Sequence, residues 1–326
     1  MIATLSIPTL EDLPGPPAGR TGWPWTEAPP AISIRPRRAD AWPRISIVTP
    51  SFNQGKFIEE TIRSVLLQGY PNLEYIVMDG GSTDETVEII RRYERWIDFW
   101  ISEPDDGQSA AINAGLDRAG GAIGGWLNSD DLYRPGALAS LAQLSLDQPN
   151  TIAWSGVTED VDIDRAHLRF VRPRPGTARQ FANWWIDAFI HQPGCLFDLE
   201  TFRRIGGVNE RLRVVMDGDL WLRMARVGTF ACMDDVVAVA RIYPDAISQN
   251  NDSGIAADVI AMAINAGIPD VATERLDTYA ESIVRQRRRE IFETMLGHLS
   301  RTELLGIVLR RAWAALVRRV PFIGRP

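Results

Sequence analysis

Two adjacent carboxylates, Asp130 and Asp131, end an apolar segment in the stretch GGWLNSDDLYRPG at residues 124–136. Carboxylates at the end of a buried segment are costly unless a cation, a helix N-terminus or water compensates their charge. A Pro-Gly pair separates them from the next predicted helix, which disfavours a direct helix cap. A divalent cation bound by one or two carboxylates and by phosphate oxygens meets the same need. The stretch therefore predicts a metal site beside a diphosphate, with Asn128 as a supporting amide.

Small, polar or acidic residues also follow three other apolar segments. TPSFN ends the segment at 44–50, DGGSTD ends the one at 73–80, and EPDDG follows the one at 97–102. Ligands of parallel α/β sheets bind outside the carboxyl ends of the strands, so we expect these exits to meet at one site. Asp79 can accept a hydrogen bond from a ribose hydroxyl or a base N–H, beside two glycines that let backbone approach closely. The alternative is that Asp79 only ends its strand.

Alternating strands and helices must position these residues. Short β-branched apolar runs alternate with segments of helical periodicity through residues 44–157. This alternation predicts βαβ units and a mainly parallel sheet that is flanked by helices on both faces. Ser82 and Glu85 have the spacing of a capping box at the start of one helix. The predicted strands are 44–50, 73–80, 97–102, 122–128 and 151–157, and the predicted helices are 57–69, 82–96, 107–119 and 136–146.

Charge and missing motifs argue against several classes of function. The formal net charge of −7 is unlike that of a nucleic-acid-binding protein. The turn after the first strand, TPSFNQG, lacks the G-x-G-x-x-G pattern of dinucleotide-binding proteins, and no G-x-x-x-x-G-K-[ST] phosphate loop occurs. Two distant cysteines, Cys195 and Cys232, fit reduced thiols in a cytoplasmic protein.

The motifs of residues 44–140, in their order and spacing, resemble those of the family 2 glycosyltransferases with the GT-A fold. The resemblance is carried by ISIVTPSFNQG, YIVMDGGSTDETVEII, SEPDDGQSAAINAGLDRAGG and WLNSDD, and it continues more weakly to about residue 249. It implies transfer of a sugar, with inversion at the anomeric carbon, from a UDP-, GDP- or dTDP-sugar to a hydroxyl group. It also implies Mn²⁺ or Mg²⁺ as cofactor, a glycan or lipid-linked acceptor, and a role in bacterial surface glycan synthesis.

By position, the resemblance implies roles for named residues. Asn128-Ser129-Asp130 stands where the family has its D-x-D motif, which makes Asp130 the principal metal ligand and Asp131 its neighbour. Asp217 in MDGD matches the presumed general base, and Asp219 is a rival for that role. The residues implied to bind the nucleotide-sugar are Thr49, Pro50, Ser51, Asn53, Asp79, Asp106, Asn128, Ser129 and His191.

Two positions depart from the family pattern. Met216 stands where relatives carry an acid before the presumed base, and Tyr243 stands where they often carry a histidine. A phenol does not replace an imidazole as a metal ligand directly, so we expect a metal shell with fewer protein ligands. His191, in an aromatic and apolar segment, is either a satisfied core residue or a site residue near the acceptor or diphosphate.

Three regions follow from these patterns. They are an irregular N-terminal arm at 1–43, a GT-A domain at 44–250 with a donor half (44–157) and an acceptor half (158–250), and a helical C-terminal region at 251–326. The last 26 residues, 301–326, hold six Arg and one Glu with interspersed apolar residues. They predict either a basic helix on anionic lipid at the inner face of the cytoplasmic membrane or a helix docked on the enzyme.

Two other functions remain open from the sequence. A nucleotidyltransferase on a similar sheet is disfavoured, because no Gly-rich signature with Arg or Lys follows the first strand. A catalytically silent nucleotide-binding or scaffold protein is disfavoured by the presence of Asp79, Asp130 and Asp217.

Overall fold

The computed structural model describes residues 7–29, 42–184, 186–212, 214–244 and 252–298. Its first half alternates strands and helices as predicted. Adjacent strands of this half pair in parallel, with Ile45 opposite both Leu73 and Ile123. The elements are β1 (Ile45–Ser51), α1 (Ile58–Leu66), β2 (Leu73–Asp79), α2 (Thr86–Tyr93), β3 (Phe99–Ser102), α3 (Gln108–Arg118) and β4 (Ile123–Trp126).

The second half extends the same sheet with mixed pairing. Its elements are β5 (Leu132–Tyr133), α4 (Ala137–Asp147), β6 (Ala153–Val161), β7 (His167–Val171), α5 (Ala178–Ala182), β8 (Cys195–Asp198), α6 (Leu199–Arg204), α7 (Met216–Met224), β9 (Phe230–Arg241), α8 (Asp252–Asn265) and α9 (Pro269–His298). Across the part of the chain described, the strand order is β3-β2-β1-β4-β8-β6-β9-β5, with β7 on β6.

The GT-A-type α/β fold is confirmed, with one difference in strand direction. The parallel arrangement holds for β1 to β4 and for β6 with β9, whereas β8 runs antiparallel to both of its neighbours. β7 is antiparallel to β6 because a tight turn joins them. The sheet is therefore mixed beyond β4 rather than mainly parallel throughout.

Helices cover both faces of the sheet and form two apolar cores. Ile45 and Ile47 of β1 pack into one core with α1, α2 and α4, whereas Val48 packs into the other with α3, α6, α7 and α8. Successive side chains of a strand point to opposite faces, so Ile45 and Ile47 share one face of the sheet and Val48 lies on the other. The cores hold the strand ends in a fixed relation to each other.

The start of the second helix differs from the predicted capping box. Glu85 is the residue before α2, and its side chain makes no capping hydrogen bond; Asp84 Oδ1 accepts from the Thr86 N–H at 3.0 Å. The Ser82 hydroxyl donates instead to Asp79 Oδ1 at 2.5 Å and accepts from the Asn53 N–H at 2.7 Å. The capping-box prediction is wrong because partners from another strand compete for the serine side chain.

The N-terminal arm, where it is described, packs on the domain. Trp23 and Trp25 are buried, and the Arg63 guanidinium of α1 donates to the carbonyls of Pro14 at 2.7 Å and Pro24 at 3.1 Å. Arg63 itself is 1% exposed. The arm thus supplies backbone acceptors for a buried charge, which ties it to α1.

The chain divides into two compact units, Met1–Ala272 and Thr273–Pro326. α9 continues into the second unit and is described as far as His298. The predicted basic tail at 301–326 lies outside the described residues. Within those residues, no helix is long and apolar enough to cross a membrane.

Candidate active site

A cavity of about 600 Å³ opens at the carboxyl ends of β1, β4, β6 and β9. The position agrees with the rule for ligand sites in α/β sheets. Of the residues predicted for the site, eight line it: Pro50, Ser51, Asn128, Ser129, Asp130, Asp131, His191 and Asp217. Residues not predicted also line it, among them Asp105, Gln108, Asp160, Arg169 and Tyr243.

Asp130 and Asp131 occupy one corner of the cavity and have different partners. One oxygen of Asp130 accepts a hydrogen bond from the Tyr243 hydroxyl at 2.7 Å. Asp131 uses both oxygens, accepting from the Arg241 backbone N–H at 3.1 Å and from the Asn128 amide at 3.3 Å. Asp131 therefore anchors the corner to β9, whereas Asp130 faces the cavity with its phenol partner.

The helix that follows does not explain these carboxylates. Gly136, in the left-handed region with φ of 76°, precedes α4, and no side chain caps it. Thr61 of α1 instead donates to the carbonyls of Ser129 and Asp131, at 2.9 and 2.8 Å. The turn is therefore held by α1 and β9, and its carboxylates do not cap α4.

Burial makes this corner electrostatically demanding. It raises the pKa of Asp130 above its ordinary value. Burial and the neighbouring Asp130 charge raise the pKa of Asp131 well above its ordinary value. The buried Arg241 guanidinium offsets part of this charge and also pairs with Glu60 of α1. A bound cation would stabilise the ionised pair further.

The donors at this corner suit a hard divalent cation. The Asp130 carboxylate and the Asn128 amide oxygen, which accepts from Gln108 at 2.7 Å, supply oxygen only. In the described part of the chain, no cluster of three or more His, Cys, Asp or Glu side chains is arranged to hold a metal. Mg²⁺ and Mn²⁺ complete such a shell with substrate phosphates and water, so the residues fit these ions when a diphosphate is present.

The exits of β1 and β2 form a hydrogen-bonded wall behind the cavity. Asp79 is buried and accepts from the Ser82 N–H at 2.9 Å and the Ser102 hydroxyl at 2.7 Å. Asn53, with φ of 52°, accepts from the Thr83 N–H at 2.9 Å. These contacts join three strand exits into one rigid edge.

Several predicted nucleotide-sugar residues lie outside the cavity lining. Thr49 is fully buried and its hydroxyl bonds the Tyr75 hydroxyl at 3.1 Å. Asp106 is exposed, whereas its neighbour Asp105 lines the cavity and accepts from the Gly107 N–H at 2.8 Å. Asp79 and Asn53 support the lining through the wall described above. The roles predicted for these four residues stay predictions.

Asp217 and Asp219 face different surroundings at the start of α7. Asp217 lines the cavity, its Oδ1 accepts from the Gly218 N–H at 2.8 Å, and burial raises its pKa to about 7. Asp219 is buried away from the cavity, where it accepts from Arg223 Nε at 2.7 Å. Residues two apart on a helix are rotated by about 200°, which separates the two carboxylates.

His191 and Asp160 form a polar patch on a further wall of the cavity. Burial lowers the pKa of His191 to about 4, so the imidazole is neutral at pH 7. Its Nδ1 lies 3.5 Å from Asp160 Oδ1. Asp160 is not among the residues predicted from the sequence. It could have been predicted, because it lies at the carboxyl end of the strand that begins at AWSGV and ligands of α/β sheets bind at such strand ends.

Known sequences are similar to this chain over most of its α/β domain. The model of glycosyl transferase family 2 matches residues 46–206. An uncharacterized glycosyltransferase of Rickettsia typhi is 30% identical over 207 residues, 62% of this chain and 64% of the relative. One of Mycobacterium tuberculosis is 31% identical over 189 residues, 57% of this chain and 70% of the relative. The putative teichuronic acid biosynthesis glycosyltransferase TuaG of Bacillus subtilis is 28% identical over 228 residues, 64% and 82% of the two chains.

The chain spans 64% of the length of the Rickettsia typhi relative and 35% of that of a Rickettsia felis relative.

Solved structures share its fold. Residues 1–349 of S. aureus TarS, in complex with UDP-GlcNAc, align with a TM-score of 0.56 at 16% identity over 72% of this chain and 71% of that one. The mannosyltransferase PcManGT of Pyrobaculum calidifontis, in complex with GDP-Man and Mn²⁺, aligns with a TM-score of 0.52 at 22% identity over 73% and 75%. The predicted family is confirmed, and this chain belongs to glycosyl transferase family 2.

Proposed function

We propose that this chain transfers a sugar from a nucleotide-sugar to a hydroxyl acceptor, with a divalent metal and with inversion at the anomeric carbon. The observation that carries the proposal is one cavity lined by both Asp130 and Asp217. Asp130 follows β4 in the first half of the fold, Asp217 lies in α7 in the second half, and the two carboxylates have separate partners. Family membership supports the same reaction.

Asp217 is the proposed general base. A base is most effective when its pKa is near the working pH, and burial brings this carboxyl to about 7. Its Oδ1 is held by the Gly218 N–H, which fixes the carboxylate at the helix start. An acceptor hydroxyl would lose its proton to Asp217 while its oxygen bonds to the anomeric carbon and the bond to the diphosphate breaks.

The metal corner would act on the departing diphosphate. Asp130 is the proposed ligand, with Asn128 in support, because both Asp131 oxygens are already used by N–H donors. Bound Mn²⁺ or Mg²⁺ supplies compensation for the negative charge that develops on the leaving group. Asp131 then holds Asp130 in place through the turn it anchors. The prediction of Asp131 as a second ligand stays a prediction.

The donor base and the sugar remain open among UDP-, GDP- and dTDP-sugars. One structural relative is named with UDP-GlcNAc and another with GDP-Man, so both nucleotides are candidates here. TuaG is named for teichuronic acid biosynthesis, and this supports a glycan or lipid-linked acceptor in bacterial surface glycan assembly. We place that reaction in the cytoplasm, with membrane contact through the basic C-terminal tail as part of the proposal.

A donor screen tests the reaction class. The full chain is incubated with UDP-GlcNAc, GDP-mannose and dTDP-glucose, each with Mn²⁺, with Mg²⁺ and with EDTA. We expect at least one donor to raise the melting temperature in a metal-dependent way and to be hydrolysed slowly. NMR of the first-formed anomer reports inversion or retention. If no donor binds or is hydrolysed, the scaffold alternative gains the support that the enzyme loses.

A further inference from the structure

Asp160 is a fully buried carboxylate whose two oxygens are in different situations. Its Oδ2 accepts from Arg169 Nε at 2.7 Å across the β6–β7 pair. Its Oδ1 has no hydrogen-bond partner among the described residues. The Asp160 side chain is 1% exposed, whereas that of Arg169 is 64% exposed. The counterion thus sits at the surface and leaves the inner oxygen unsatisfied.

His191 lies beside that unsatisfied oxygen. Its Nδ1 is 3.5 Å from Asp160 Oδ1, which is long for a hydrogen bond, and it too has no partner within the described part of the chain. The imidazole is neutral at pH 7, so one ring nitrogen donates and the other accepts. The pair thus offers the carboxylate oxygen of Asp160 as a strong acceptor and, 3.5 Å away, the imidazole nitrogen of His191 as a donor or an acceptor.

Both side chains belong to the cavity that holds Asp130 and Asp217. Asp160 pairs with Ala240 of β9, one residue before Arg241, whose backbone binds Asp131. Asp160, His191 and Arg169 all line the cavity. A ligand held at Asp130 would therefore occupy the same cavity that the Asp160–His191 pair lines.

Unsatisfied buried acceptors are costly, and native proteins retain them where a ligand completes them. The missing partner must donate to a carboxylate and exchange one hydrogen bond with a neutral imidazole. Neighbouring hydroxyls of a pyranose ring do both, because each hydroxyl donates once and accepts as well. A phosphate does not, since it would bring negative charge against Asp160.

We propose that Asp160 and His191 form a hydroxyl-binding subsite for a pyranose ring, which selects the sugar by its hydroxyl pattern. The inference rests on the proposed glycosyl transfer and adds the residues that form hydrogen bonds with the hydroxyls of the sugar. The ring belongs either to the donor or to the acceptor. A site built to bond a hydroxyl rejects an analogue that lacks it, because its own polar groups are then left unpaired.

The test compares sugar-bearing and bare nucleotides on the full chain. Kd values for UDP and UDP-GlcNAc, and for GDP and GDP-mannose, are measured with Mn²⁺ for wild type, Asp160→Asn and His191→Gln. Glu159→Gln is the matched control, because Glu159 neighbours Asp160 on β6 but bonds Arg134 and His167 outside the cavity. Circular dichroism and melting temperature check that each variant folds.

If the subsite holds the donor sugar, Asp160→Asn raises the Kd of the sugar nucleotide by roughly tenfold or more and leaves the Kd of the bare nucleotide unchanged. If it holds the acceptor, both nucleotides bind as in wild type, and the melting shift given by methyl pyranosides in the presence of UDP is lost. Either result supports the subsite. Unchanged donor affinity together with an unchanged pyranoside shift in folded Asp160→Asn and His191→Gln overturns it.

Failure of the proposed reaction would look different. A wild type that binds no nucleotide would count against glycosyl transfer, while the pyranoside shift would still report on the subsite. A loss of equal size in Glu159→Gln would mean that the effect comes from the strand rather than from the subsite, and would also overturn the inference.

Discussion

Asp217→Asn is expected to stop transfer and, at the same time, to stabilise the folded protein at neutral and alkaline pH. The substitution keeps the shape of the side chain and an oxygen for the Gly218 N–H, but removes the charge. Burial raises the pKa of Asp217, and no cationic side chain among the described residues offsets this effect. Ionisation of Asp217 is therefore unfavourable in the folded state. Catalysis and stability should therefore change in opposite directions.

The size of the stability effect follows from linkage. The Asp217 carboxyl has a pKa of about 7 in the folded protein against an ordinary 3.8. Each pH unit of difference corresponds to about 1.4 kcal/mol, so ionised Asp217 costs about 4 kcal/mol of unfolding free energy. The cost is absent below pH 3.8, where both states are protonated. It grows as pH rises and is complete above pH 7.

The assay is urea unfolding of wild type and Asp217→Asn at several values between pH 4 and pH 8. We expect the variant to be more stable by a margin that widens toward pH 7, and its kcat to fall by about 10²- to 10⁴-fold. Wild-type kcat/KM should rise with pH through an apparent pKa near 7. Asp219→Asn is the control: it loses the Arg223 ion pair and stability while it keeps kcat.

Two outcomes would refute this reasoning. A stability margin that does not change between pH 4 and pH 8 would mean that Asp217 is not a buried group with a raised pKa. Full activity of Asp217→Asn, or loss of activity only in Asp219→Asn, would move the base to Asp219.

Three further predictions concern other parts of the molecule. Asp130→Asn should weaken Mn²⁺-dependent donor binding by roughly 100-fold or more without lowering the melting temperature of the ligand-free protein, since burial already disfavours the ionised carboxylate; unchanged donor affinity in calorimetry would remove Asp130 from the proposed metal site. Arg63→Met should lower the free energy of unfolding by about 3 kcal/mol, since it leaves the carbonyls of Pro14, Pro24 and Trp25 without their buried donor; urea unfolding measures it, and an unaltered midpoint would show that the arm contributes little. Deletion of residues 301–326 should leave donor hydrolysis intact and reduce sedimentation with phosphatidylglycerol liposomes; equal sedimentation would remove the membrane role of the tail.

The sequence predicted the strand exits well because that information is local. TPSFN, DGGSTD and NSDD each combine the end of an apolar run with polar residues, and the sheet brings these ends together. The order of β8, β6 and β9 was not predictable in the same way. Their pairing depends on contacts between segments far apart in the chain, and no short sequence motif predicts these contacts.

Choices between neighbouring acids also needed the structure. Asp105 and Asp106 are indistinguishable by type, and only the backbone of the loop puts Asp105 on the cavity wall. Asp160 was missed because its pairing with Arg169 and its distance to His191 arise from two strands and a distant loop. Ser82 was misassigned for the same reason, since its partner Asp79 competes with the helix terminus.

A single stretch of α1 contacts both the turn that carries Asp130 and Asp131 and the N-terminal arm. Thr61 bonds the Ser129 and Asp131 carbonyls, Glu60 pairs with Arg241 and Arg165, and Arg63 bonds the arm. Arg165 also donates to the Trp23 carbonyl at 2.8 Å. In a mutational scan scored only by product formation, Trp23 and Arg63 would therefore rank among the sensitive positions, although neither lines the cavity. A map of mutational sensitivity would therefore show the residues that α1 holds together as clearly as the residues that line the cavity.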